Sequence, residues 1–222
     1  MKAVVIIIGI ILQALFIAVE HKEKYVPAVA LKGLASLCFV ILGAMTKAFS
    51  SDQRFAKLIF IGLIFGMLGD ILLNLRFVFE KMGQKIFLVG IVAFLTGHIL
   101  YLAALIPKSS SPVIGFIIGA VIAAVLLWYI FKTMEVKLAF KIFGVIYLGA
   151  VIIMTAIAVL NMISSPTAGN MIYALGAVLF TVSDIVLIFN TFGKESKFSL
   201  RITNLSLYYA GQILIALSLM HF

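Results

Sequence analysis

The chain has 222 residues, 64% hydrophobic and 11% charged, with a mean hydropathy of +1.27. A soluble domain holds about 45–50% apolar and about 25% charged residues, so the composition excludes one and identifies an integral membrane protein with little outside the bilayer. Seventeen Lys and Arg against eight Asp and Glu would suggest nucleic acid as the partner of a soluble chain. Here most of that charge sits in short loops, where it sets topology and attracts anionic head groups, and no nucleic-acid partner is expected.

Along the chain, Lys2 and the apolar run to Val19 imitate a signal peptide, but no small-x-small cleavage site follows, so the run reads as a retained first helix. Apolar runs of about 17–21 residues suffice to cross about 30 Å of hydrocarbon as helices. Such runs occupy Ala3–Val19, Pro27–Met45, Leu58–Leu75, Ile86–Ile106, Pro112–Phe131, Phe140–Leu160, Met171–Phe189 and Ile202–Met220. Breakers such as Pro107, Pro166 and Gly193 fall between them, and they lack the period-two alternation of a closed barrel. The expected fold is all-α: eight transmembrane helices in a single domain over residues 1–222.

Basic residues divide unevenly between the two sides. Lys2, Lys47, Arg54, Lys57 and Lys108 share the side of the N-terminus. Lys22, Lys24, Arg76, Lys81, Lys85, Lys132, Lys137, Lys141, Lys194, Lys197 and Arg201 lie opposite, and Lys32 is inside span two. The positive-inside rule then makes the richer side cytoplasmic and places both termini outside. The expected location is a plasma membrane, the inner one in a bacterium.

One constant offset of 114 residues runs through the sequence. It aligns Gly69-Asp70-Ile71-Leu72-Leu73 with Ser183-Asp184-Ile185-Val186-Leu187, Gly97-His98 with Gly211-Gln212, Gly62 with Gly176, and Leu105 with Leu219. A tandem duplication follows, with repeat one at about 1–108 and repeat two at about 112–222. An even number of spans per repeat makes the two four-helix halves parallel, related by an axis along the membrane normal.

The polar residues inside the spans cluster by helical spacing. Span three carries Gly62, Gly66, Asp70 and Asn74 at intervals of four, and span seven Gly176, Phe180, Ser183 and Asp184. Span four has Gly90, Phe94, His98 and Tyr101 on one face, and span eight Asn204, Tyr208 and Gln212, with Tyr209 adjacent. The glycines serve close helix packing equally well, and a lone Tyr or His is commonly a packed residue bonded to its neighbour. Carboxylates at membrane depth are expensive, so Asp70 and Asp184 are candidate functional residues. Each lies about five residues inside the cytoplasmic end of its span, roughly 8 Å at 1.5 Å per residue. Lys32 is at similar depth, where it either snorkels or neutralises one aspartate. His98 and Gln212 are deeper and are expected to floor a pocket open to the cytoplasmic leaflet.

A buried carboxyl without a cation tends to stay protonated, while a better-paired one stays ionised, and that divergence makes a general acid and a general base from two like residues. The suited chemistry is hydrolysis of an acid-labile bond by water. There is no nucleophile elbow and no phosphate loop, and His21, His98 and His221 are too far apart in sequence for a two-histidine metal motif. Cys38, the only cysteine, allows no internal disulfide and no thiolate cluster.

Four segments resemble the signatures of the YhhN-type lysoplasmalogenase family of eight-span membrane hydrolases. They are Gly69-Asp70-Ile-Leu-Leu, Phe94-x-x-Gly-His98-x-x-Tyr101, Leu179-Phe-x-x-Ser183-Asp184 and Tyr208-Tyr209-x-x-Gln212, in order along essentially the whole chain. Lys32 matches a basic residue of span two, followed here by Gly33 where the pattern has proline. The resemblance implies cleavage of the vinyl ether bond of a lysoplasmalogen, a single-chain lysophospholipid, to a fatty aldehyde and glycerophosphoethanolamine or glycerophosphocholine. It implies Asp70 and Asp184 as catalytic residues, with Lys32, Asn74, His98, Tyr101, Ser183, Tyr208, Tyr209 and Gln212 positioning substrate and water, and no metal or cofactor.

Other readings compete. A proton-coupled transporter or lipid carrier also uses membrane carboxylates in a duplicated fold, although paired broken helices are missing from the two halves. An intramembrane aspartyl protease needs Gly-x-Gly-Asp, and position 67 is Met67 in Gly66-Met67-Leu68-Gly69-Asp70. A lipid-binding module has no need of twin buried acids.

Overall fold

A computed structural model describes residues 1–135 and 138–222, and the side chains of 139 and 140 are also outside the description. Lys137, one of the basic residues used for orientation, therefore lies outside the described residues. Among the described residues, eight helices are long and apolar enough to span a membrane. They are α1 (Lys2–His21), α2 (Tyr25–Lys47), α3 (Gln53–Leu75), α4 (Gly83–Leu105), α5 (Pro112–Thr133), α6 (Leu138–Ser164), α7 (Ala168–Phe192) and α8 (Phe198–Ser218).

Most helices begin a few residues before their apolar stretch, and side-chain caps set the start of two of them. The Asp52 carboxylate accepts from the Phe55 amide at 2.9 Å, which starts α3 five residues before the apolar run and puts Arg54 and Lys57 on its first turns. Thr167 caps α7 in the same way through the Asn170 amide at 3.3 Å.

The helices pack in cyclic order: α2 on α3, α3 on α4, α4 on α6, α6 on α7, α7 on α8, and α8 back on α2. Helix α1 lies outside this ring against α2, and α5 outside it against α6. Accordingly Ile7, Ile10 and Ile11 on α1, and Ile117, Val121 and Val125 on α5, remain exposed, as lipid-facing side chains are.

Two glycine crossings draw the ring tight. A Cβ on Gly97 would lie 3.0 Å from the Gly62 carbonyl oxygen, and one on Gly62 would lie 3.0 Å from that of Gly97 and clash with the Tyr101 ring. In the second half a Cβ on Gly176 would sit 2.9 Å from the Gly211 oxygen, and one on Gly211 2.8 Å from that of Gly176. Only hydrogen fits at such backbone approaches. The four positions are related by the same 114-residue offset, so α3–α4 and α7–α8 cross alike.

Candidate active site

The Asp70 carboxylate projects from α3 into the ring and is 2% exposed. Its Oδ1 is 3.2 Å from Nζ of Lys32, on α2. Its Oδ2 accepts hydrogen bonds of 2.6 Å from the hydroxyls of both Ser36 and Tyr208. Lys32 and Ser36 stand one helical turn apart on α2, so one face of that helix supplies both. Lys32 does not snorkel: it is 3% exposed, donates to Asn74 Oδ1 at 3.0 Å and lies 5.5 Å from the centre of the Phe16 ring. Three further residues on three helices, Ser36, Asn74 and Tyr208, thus converge on Asp70 and its ammonium partner, as a buried ion pair requires if its remaining hydrogen-bonding capacity is to be met.

The network continues outward. Asn74 Nδ2 donates to Glu20 Oε1 at 2.9 Å, and Glu20 is held by Arg201 through bonds of 2.9 and 2.7 Å to its two oxygens. Fork-to-fork pairing of this kind ties the end of α1 to the start of α8.

Asp184, on α7, is 5% exposed and differently served. It accepts one hydrogen bond, 2.6 Å from the Tyr147 hydroxyl on α6. No Lys, Arg or His nitrogen among the described residues lies within 4.0 Å of it.

Both aspartates line a single cavity of about 120 Å³, together with Lys32, Asn74 and Tyr208. Its apolar wall comes from Leu73, Phe87, Ile91, Phe94, Leu187 and Ile188, and Arg76 and Arg201 also line it. At the ~30 Å³ that a water occupies in the liquid, the volume takes a reacting group and a few waters, so a long alkyl chain would extend beyond it.

Five residues singled out from the sequence are not in the cavity wall. Gln212 and His98 do not floor the pocket as expected; Tyr208 and Phe94, one turn earlier on the same helices, line it instead. Gln212 instead accepts from the Tyr101 hydroxyl at 3.2 Å and donates to that of Tyr208 at 3.5 Å, so both act through Tyr208. Tyr209 meets Ser36 at 3.1 Å and supports the other donor to Asp70. His98 Nδ1 lies 2.8 Å from the Phe94 carbonyl, which can only accept, so Nδ1 carries the proton and Nε2 is a buried lone pair without a partner. The Ser183 hydroxyl donates to Phe180 O on its own helix at 2.7 Å, and its carbonyl takes Asn204 Nδ2 at 2.8 Å. Ser183 therefore shapes the α7–α8 contact.

Ser36, Tyr147, Glu20, Arg76 and Arg201 were not read as site residues from the sequence. Ser36 was accessible, since it is four residues from Lys32 on the same face. Tyr147 had a fainter signal: the 114-residue offset maps it to position 33, beside Lys32, on the helix equivalent to α2. Glu20 and Arg201 pair across 181 residues, which no local pattern reveals.

No solved structure matches the chain. A family model, that of the YhhN family, matches residues 27–219, a stretch that includes both aspartates, Lys32 and every helix of the ring except the first two residues of α2. On that match the chain belongs to the YhhN family.

Proposed function

We propose that this protein is a membrane hydrolase that cleaves the vinyl ether bond of lysoplasmalogens, releasing a fatty aldehyde and a glycerophospho-base. The observation that carries the proposal is the unlike setting of two carboxyl groups on one cavity: Asp70 paired with a cation and two hydroxyls, Asp184 with one phenol. Unlike surroundings divide two like groups into acid and base.

In this scheme Asp184 is the acid and Asp70 the carboxylate. Asp184 gives its proton to the vinyl carbon remote from oxygen, and the double-bond electrons form that C–H bond. The adjacent carbon becomes an oxocarbenium ion, which the Asp70 carboxylate stabilises in a site largely closed to solvent. Water adds to that carbon and yields a proton to Asp70, giving a hemiacetal. On collapse the hemiacetal hydroxyl proton returns to Asp184, and Asp70 delivers its proton to the departing glycerol oxygen. Both carboxyls end as they began, and one water has been consumed. Lys32, Ser36 and Tyr208 fix the Asp70 oxygens, while Tyr147 orients Asp184.

The test is purified protein in detergent with three lipids. A vinyl ether lysolipid should release aldehyde; its saturated alkyl analogue, which cannot form a stabilised cation, should bind and inhibit; a two-chain plasmalogen should react poorly. Cleavage of the alkyl ether would sink the carbon-protonation scheme, and proton-coupled uptake into liposomes without cleavage of any lipid would favour a carrier.

The same proposal includes the topology, with parallel four-helix repeats and both termini outside. A C-terminal reporter active only in the cytoplasm should then stay silent, and a strong signal would reverse the assignment.

A further inference from the structure

Three cations line the cavity, and two of them are matched. Lys32 pairs with Asp70 at 3.2 Å and Arg201 with Glu20 at 2.7 Å. The side chain of Arg76, just past the end of α3, makes no ion pair or hydrogen bond among the described residues, and its Nε is buried without a partner. Its guanidinium is instead held between rings, 4.5 Å from the centre of Phe87 and 4.6 Å from that of Phe77. A planar cation fixed by stacking, with its donors unspent, is arranged to grip an oxyanion bidentately.

The electrostatics favour an anion there. Burial, and the nearby positive charge of Arg201, pull Arg76 down to about 10, which still leaves it charged at neutral pH. With Asp184 in the protonated form that the reaction needs, Lys32, Arg76 and Arg201 face only Glu20 and Asp70, so the lining carries one uncompensated positive charge. A phosphodiester carries one negative charge.

The spacing agrees. Arg76 follows Asp70 by six residues of nearly continuous helix, a rise of about 9 Å. In a lysoplasmalogen six bonds separate the ether-bearing vinyl carbon from phosphorus, about 7 Å at the ~3.5 Å that three extended backbone bonds span. The remaining couple of ångströms are well within the reach of an arginine side chain.

We propose that Arg76 is the phosphate-binding residue of the site, taking the phosphodiester of a single-chain phospholipid while the ether end reaches the aspartates. This rests on the hydrolase reading for the identity of the lipid. A lipid source is favoured over a free anion because the cavity that Arg76 lines also has apolar walls, Phe87, Ile91 and Ile188 among them.

A binding assay without chemistry tests it. Unfolding temperature is followed in a phosphate-free neutral detergent as two saturated ligands are titrated: 1-alkyl-lysophosphatidylethanolamine and 1-alkylglycerol, which share the chain and differ in the phosphodiester head group. The wild-type protein should bind the phospholipid about ten- to a hundredfold more tightly, as a charge-assisted contact does. Arg76→Gln should remove that preference and leave alkylglycerol binding unchanged, and Arg76→Lys, which keeps the charge and guards against misfolding of the first variant, should keep part of it. An unaltered preference in Arg76→Gln, or equal weakening toward both ligands, overturns the assignment. So does stabilisation by inorganic phosphate with no preference between the two lipids. Aldehyde release is scored separately: a phosphate preference lost in Arg76→Gln, without turnover of vinyl ether lipids, would keep Arg76 and discard the hydrolase.

Discussion

The two halves of the ring present the same carboxylate to the same cavity and surround it differently. In the first half α2 supplies Lys32 and Ser36 to Asp70; in the second the corresponding helix, α6, supplies Tyr147 to Asp184. The offset places Ile146 opposite Lys32 and Ala150 opposite Ser36, so neither the cation nor the hydroxyl has a counterpart. Phe94 likewise stands opposite Tyr208, and the phenol that donates to Asp70 becomes a bare ring in the other half. The glycine crossings of α3 with α4 and of α7 with α8 are alike, while the groups facing the two acids differ. The proposed division of acid and base between the two carboxyls rests on that difference in surroundings.

The largest effects should separate the two acids. Asp70→Asn and Asp184→Asn should each lower turnover at least about a hundredfold, the usual range for general acid–base residues. Their stabilities should differ. Asp184→Asn exchanges one acid for a neutral amide, but Asp70→Asn strands the Lys32 ammonium, and breaking a buried pair costs about 3–5 kcal/mol. Chemical denaturation of both variants reads this directly, and adding Lys32→Met to Asp70→Asn should restore stability without restoring activity. Equal destabilisation of the two asparagine variants would contradict the asymmetry.

Smaller effects should grade with the number of donors. Tyr147→Phe removes the single hydrogen bond to Asp184 and should cost about tenfold in kcat, the equivalent of one strong buried hydrogen bond. Tyr208→Phe removes one of three groups on Asp70 and should cost less. If Tyr208→Phe proves the more damaging, Asp70 is not the better-supported acid. Ser183→Ala should change turnover less than about twofold, because that hydroxyl bonds only to its own helix and exposed or self-satisfied groups contribute little. A large loss there would return Ser183 to the reacting groups.

Much of this arrangement was legible before any coordinates. Spans are read from hydropathy because lipid tolerates only helices and closed barrels, whose backbones are satisfied internally, and the runs lack a barrel's alternation. Asp70 and Asn74 could be placed on one face from their spacing, and Asp184 followed from the offset. Lys32 could be placed at the right depth, but its choice of Asp70 over Asp184 depends on which helices are neighbours in the ring. Tyr147, Glu20 and Arg201 depend on the same tertiary order. The floor of the pocket differs from the expectation because Phe94 and Tyr208 line the cavity, whereas His98 and Gln212, each one turn further along the same helix, do not.

The central claim is that a carboxylic acid protonates carbon, and isotope incorporation tests it most directly. The vinyl ether lysolipid is turned over in D2O and the aldehyde is reduced to alcohol as it forms, before it can exchange. Exchangeable carboxyl protons are then deuterons, so each product chain should carry a single deuterium on the carbon next to the former carbonyl. That deuterium should have a single configuration; a racemic product would mean that the carbon took its proton in free solution, as a released enol does, and the two-aspartate mechanism would be wrong.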